Sequence, residues 1–122
     1  MTLFMPEIIT TKILREKLLD HLQHFGEMVK FVVDIEKEIL ALGGELHADC
    51  EDLLLKDGSR QQNLWGANLY PLRDEDERIE YTSLINIKPS VGNRNMEIQD
   101  EMIRNKVREI AERLLLTQDD HL

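Results

Sequence analysis

Cysteine is almost absent: Cys50 is the only one in 122 residues. That excludes an internal disulfide and any zinc site built from several cysteines. Long apolar runs are absent too. None approaches the ~18 residues a membrane-crossing helix needs, so a transmembrane protein is excluded. The amino terminus, MTLFMPEIITTKILREK, shows no basic stretch leading into an unbroken apolar one, so no signal peptide is expected. The expected compartment is the cytoplasm. Aromatic residues are scarce, at 5%, and prolines number three. No internal repeat, low-complexity tract or linker interrupts the chain.

A basic stripe along the sequence is also missing, though a local patch could still form in three dimensions. The chain carries 24 acidic and 15 basic residues, a net charge of −9 with histidine neutral. The excess is spread out: residues 1–42 and residues 90–122 each hold five basic and seven acidic side chains. Such a field repels phosphate backbones and anionic membranes. Neither nucleic acid nor membrane is expected as a partner, and solubility is the plain reading of the acidity.

What is present is a core. Hydrophobic residues make up 42% and charged residues 32%, a balance that opposes wholesale disorder. The length fits one domain, residues 1–122, with 118–122 as a frayed tail.

Periodicity alternates between helix and strand. Residues 10–24 read as a helix from the spacing of Ile13, Leu14, Leu18, Leu19 and Leu22. Thr10 or Thr11 would cap it, and Phe25-Gly26 would end it. Val29, Phe31, Val33 and Ile35 alternate like a strand. After Glu36-Lys37-Glu38 the run 39–42 resumes, either as the return strand of a hairpin or as a short helix. The hairpin is preferred for its density of Val and Ile, and Gly43-Gly44 marks its far end. Residues 45–57 read as a second helix with Leu46, Cys50, Leu53 and Leu54 in one stripe, closed by Gly58. Residues 63–70 form a third strand with Trp65, Ala67 and Leu69 facing the core. Residues 79–88 form a fourth, with Ile79, Tyr81, Ile85 and Ile87 on one side and Pro89 as its stop. Asp100 caps a last helix over 100–116, striped by Ile103, Val107, Ile110 and Leu114.

The expected fold is therefore an α+β, single-domain, two-layer sandwich ordered α-β-β-α-β-β-α. Its four-stranded, mostly antiparallel sheet carries helices on one face. The reverse face, with Leu64, Gly66, Asn68, Tyr70, Glu80, Thr82, Leu84, Asn86 and Lys88, is expected to lie open as a mixed surface.

The segments GGELHAD (43–49), DGS (57–59), LWGANLYP (64–71), SLINIKP (83–89) and GNRNMEI (92–98) together resemble a family of small bacterial proteins, domain-of-unknown-function family 5674. The likeness spans about residues 28–115. It implies a compact single-domain protein and brings no activity, cofactor or catalytic residue with it.

Candidate chemistry is sparse. His47 and Glu51 stand four apart on the second helix, with Asp49 between them, a spacing that offers two metal ligands on one face. A third ligand is not designated, and a hydrogen-bonded histidine near a helix start explains the same residues. Cys50 shares the apolar stripe, so packing explains it better than nucleophilic chemistry. The Gly92-Asn93-Arg94-Asn95 run precedes a helix, yet positive-φ turn geometry at Gly and Asn accounts for it better than an anion loop. Asn68 and Asn86 sit mid-strand, where asparagine is depleted. With Tyr70, Thr82 and Arg94 they form the candidate binding constellation. The preferred function is a non-enzymatic binding or regulatory module without a cofactor. It would use the reverse sheet face around Leu64, Tyr70 and Leu84, pairing with a second copy or with another protein. The alternative is a small metal-assisted hydrolase centred on His47, Asp49 and Glu51.

Overall fold

The computed structural model describes residues 5–122. Met1 to Phe4, the start of the stretch read for a leader, lie outside it. The elements are β1 (Glu7–Ile9), α1 (Arg15–Phe25), β2 (Val29–Asp34), β3 (Ile39–Leu42), α2 (His47–Lys56), β4 (Leu64–Leu69), β5 (Ile79–Glu80) and α3 (Glu101–Leu114). The strands form one antiparallel sheet in the order β1-β3-β2-β4-β5. The α+β class and the antiparallel sheet are as expected from the pattern; the strand count is five.

The hairpin alternative holds at 29–42. β2 and β3 pair with Phe31 opposite Leu42 and Val33 opposite Leu40. Asp34 makes the turn: its Oδ1 accepts from the Glu36 and Lys37 amides at 2.9 and 3.0 Å. Its other oxygen accepts from the Ser59 hydroxyl at 2.6 Å, which ties the DGS segment beneath the hairpin. Buried at the end of a strand, this carboxylate stays satisfied by three donors.

Pleating sorts the core into two. Val29, Phe31 and Val33 of β2, Leu40 and Leu42 of β3, and Trp65, Ala67 and Leu69 of β4 share one face. There they pack with Leu18 and Leu22 of α1 and Val107, Ile110 and Leu114 of α3. The intervening Val32, Ala41 and Leu64 point the other way and pack with Cys50 and Leu54 of α2. The expectation of helices on a single face is therefore corrected: α2 and the chain around Ile85 cover the reverse of the sheet.

The handedness of strand connections explains this layering. β1 runs parallel to β2, since both are antiparallel to β3; β3 runs parallel to β4, since both are antiparallel to β2. So β1-α1-β2 and β3-α2-β4 are both crossovers, stepping the same way across the sheet along oppositely directed strands. Right-handed crossovers then place α1 and α2 on opposite faces.

Three local expectations change. α1 starts at Arg15 with Leu14 at its cap position and no capping side chain, so Thr10 and Thr11 do not cap it. The chain there is still leaving β1, an unanticipated strand whose Ile8 sits opposite Ala41. The fourth strand ends at Glu80 rather than Lys88. Continuing its register would set Thr82 against Gly66; instead Thr82 bridges Glu97, and Ser83 crosses over Gly66. A Cβ on Gly66 would lie 2.7 Å from that of Ser83, so only glycine lets the segment pass.

Residues 118–122, expected to fray, receive an anchor. The buried Arg78 guanidinium donates to the carbonyls of Thr117 at 3.0 Å and Asp120 at 2.7 Å. Among the described residues no helix is long and apolar enough to cross a membrane.

Candidate functional site

The segment 81–98 builds a lobe over the outer edge of β4. Two short 3-10 turns, Leu84–Asn86 and Pro89–Val91, alternate with the Lys88–Asn93 bridge. Asn86 holds it to the sheet. Its Oδ1 accepts from the Gly66 amide at 2.8 Å, and its Nδ2 donates to the Gly66 carbonyl at 2.9 Å and that of Met96 at 3.0 Å. A carboxamide has the donor and acceptor of a peptide group, so one side chain stands in for a missing strand. Asn93 does the same inside the lobe, donating to the carbonyls of Asn86, Asn95 and Glu97 and accepting from the Gln99 amide. Both amides are buried. The turn geometry expected at 92–95 is carried by Gly92 alone, at φ 85°; Asn93 and Asn95 stay out of the left-handed region.

The lobe turns four large apolar side chains outward. Leu84 is 71% exposed, Val91 46%, Ile87 44% and Met96 40%. Ile85 and Ile87 were expected on the core side with Tyr81. Ile85 goes to the reverse cluster and Ile87 to the surface, because helical turns replace the strand's alternation. Arg94 is exposed and makes no hydrogen bond or ion pair among the described residues.

Asn68, Tyr70 and Thr82 do come together, through a residue the sequence reading did not single out. The Glu80 carboxylate accepts from Asn68 Nδ2 at 2.8 Å and from the Tyr70 hydroxyl at 3.4 Å, and Asn68 also donates to the Thr82 carbonyl at 3.4 Å. Register alone places Glu80 directly opposite Asn68. Arg73 lies over the Tyr70 ring, 3.6 Å from its centre. Asn86 faces a different edge position, two residues along at Gly66, and Arg94 stands apart on the lobe. The five expected residues thus divide into a cross-strand polar group, a buried staple and a free surface cation.

His47, Asp49 and Glu51 have separate tasks. His47 Nε2 lies 2.9 Å from the Ala67 carbonyl, to which it donates. Burial first of all holds this imidazole below its ordinary range, so it is neutral. Asp49 Oδ2 accepts from the Leu46 amide at 2.9 Å and so caps α2. One oxygen of Glu51 is buried without a hydrogen-bond partner among the described residues, and its charge bears on Lys88, whose ammonium burial pushes below its usual range. Among the described residues no three His, Cys, Asp or Glu side chains are grouped to hold a metal ion. Cys50 is fully buried and its thiol is pushed up to about 11, chiefly by burial, which makes it a packing residue.

These features define an α+β protein with helices on both faces of one antiparallel sheet and an asparagine-stapled lobe at the sheet edge. The family described as Protein of unknown function (DUF5674) matches residues 7–114, and the chain belongs to it. No curated protein and no solved structure matches the chain.

Proposed function

We propose that the protein is a non-enzymatic cytoplasmic binding module that engages another protein through the 81–98 lobe. With the reverse face of the sheet covered, Leu64 is buried and the surface once centred on it moves outward to Leu84. The carrying observation is that Leu84, Ile87, Val91 and Met96 are all exposed on one short segment whose backbone is hydrogen-bonded by two buried asparagines. A rigid apolar surface loses little entropy on binding. Four large apolar side chains left in water on one segment point to an interaction surface.

Charge selects the partner. Between Glu80 and Glu97 the chain has no carboxylate, and its one exposed cation is Arg94, Lys88 being buried, in a protein of net charge −9. A second copy docked lobe to lobe would bring an exposed Arg94 from each copy and no lobe carboxylate to answer it. A different protein, presenting an apolar face edged by carboxylates, complements both features.

A photo-crosslinking residue at position 84 tests this in cells, with one at exposed Leu72 as the control. One discrete adduct to a protein other than itself is expected, lost in Arg94→Glu and in Ile87→Asp and never formed from position 72. An adduct to a second copy, diffuse adducts insensitive to Arg94→Glu, or none at all would each overturn the reading.

A further inference from the structure

A groove of about 560 Å³ runs between the β5 edge and α3, and none of the lobe's four exposed apolar side chains lines it. Its walls carry both signs of charge, with the Arg104 and Arg108 pair lying between Glu101 on the N-terminal side and a group of carboxylates on the C-terminal side. Arg104 and Arg108 are four apart on α3, hence on one face of the helix. The Arg104 guanidinium lies over the Tyr81 ring, 4.6 Å from its centre. Stacking of this kind fixes the fork's orientation in advance. Arg108 reaches only Asn105 Oδ1, at 3.4 Å. Neither arginine has a carboxylate within ion-pair distance among the described residues.

The larger carboxylate group lies on the C-terminal side. Glu112 follows Arg108 by one more helical turn, and Glu75 and Asp76 line the facing wall from the turn before β5. None of the three has a cation within ion-pair distance among the described residues. The turn bearing Glu75 and Asp76 is held to the C-terminal side of α3, because Arg78 is tied to the Thr117 and Asp120 carbonyls. At 1.5 Å per residue, Arg108 and Arg104 lie roughly 6 and 12 Å from Glu112 along the helix.

From this arrangement we infer that the groove binds a short peptide with free termini. Its C-terminal carboxylate sits on Arg104 and Arg108, and its N-terminal ammonium lies among Glu75, Asp76 and Glu112. Guanidinium groups recognise carboxylates by paired hydrogen bonds, and a lone ammonium suits a carboxylate cluster. A di- or tripeptide spans that separation, and the amide side chains of Asn105 and Gln118, which also line the groove, match its peptide groups. A simple anion such as phosphate satisfies only the arginine pair and meets the carboxylates.

Titration of the full chain with dialanine and with trialanine, followed by calorimetry and by amide shifts of residues 104–112, tests the assignment. Binding at millimolar concentration or tighter is expected. Acetylating the N-terminus or amidating the C-terminus should each weaken it about tenfold or more. Arg108→Gln and Glu112→Gln should do the same, while Leu84→Asp on the lobe leaves it unchanged. Equal binding of free and capped peptides, equal response to phosphate, or no binding at millimolar concentration would overturn it. Arg104 and Arg108 are exposed, so their glutamine variants keep the fold, and the capped peptides need no variant at all.

Discussion

The carboxamide of Asn86 lies edge to edge with the peptide groups of Gly66, one hydrogen bond each way at 2.8 and 2.9 Å. β4 therefore keeps its ladder satisfied past the point where β5 has left it. The lobe's position depends on that pair.

Asn86→Ala strips the Gly66 amide and carbonyl of their partners in a buried site. The expected cost is about 3 kcal/mol, from unpaired buried polar groups at ~1–3 kcal/mol each. Asn86→Asp keeps the acceptor but loses the donor, and buries a charge against two carbonyls, so it should be at least as damaging. Urea unfolding of the three proteins decides this. Equal midpoints would show that the staple contributes nothing.

The stability of the chain should fall as pH drops below 6.5, the ordinary value for histidine, in part through His47. Burial lowers the folded pKa of this imidazole, so between the folded and unfolded values the unfolded chain binds the extra proton. Its neutral form costs nothing above 6.5; stability is lost on the way down and levels off below the folded value. The slope is at most about 1.4 kcal/mol per pH unit. His47→Gln retains a donor for the Ala67 carbonyl and should flatten the difference curve. An unchanged pH profile in that variant would contradict the assignment.

Cys50 should resist aromatic disulfide reagents in the native protein and react at once in denaturant. Burial both blocks access and holds the thiol near 11, so almost no thiolate exists at neutral pH. A native reaction rate comparable to the denatured one would place Cys50 in a different environment.

Arg78→Ala should release the C-terminal residues. The side chain is buried and gives three hydrogen bonds to backbone carbonyls, at Arg73, Thr117 and Asp120. Loss of about 3 kcal/mol is expected from charge-assisted bonds of this kind. Carboxypeptidase should trim residues 118–122 faster than in the parent chain; identical trimming would mean that the tail is held by other contacts.

Much of this molecule is readable from local pattern. Alternation over 29–42 and 64–69 identifies the three central strands, and the stripe Val107, Ile110, Leu114 identifies α3, because each period reports a single buried face. Trp65 as core, Cys50 as packing and the left-handed Gly58 after α2 follow from the same local rules. The resemblance of GGELHAD, LWGANLYP and GNRNMEI to family members is likewise a property of the string. Layering and the candidate sites belong to three dimensions. β1 spans three residues, too few for a period to register, yet it turns α1 into a crossover and so sends α2 to the opposite face. Asn86 pairs with the backbone of Gly66 on another strand, and Asn93 with the irregular loop around it, and no periodicity encodes either. The groove's facing wall, with Glu75 and Asp76, comes to α3 because Arg78 ties the 74–77 turn to the chain just after that helix.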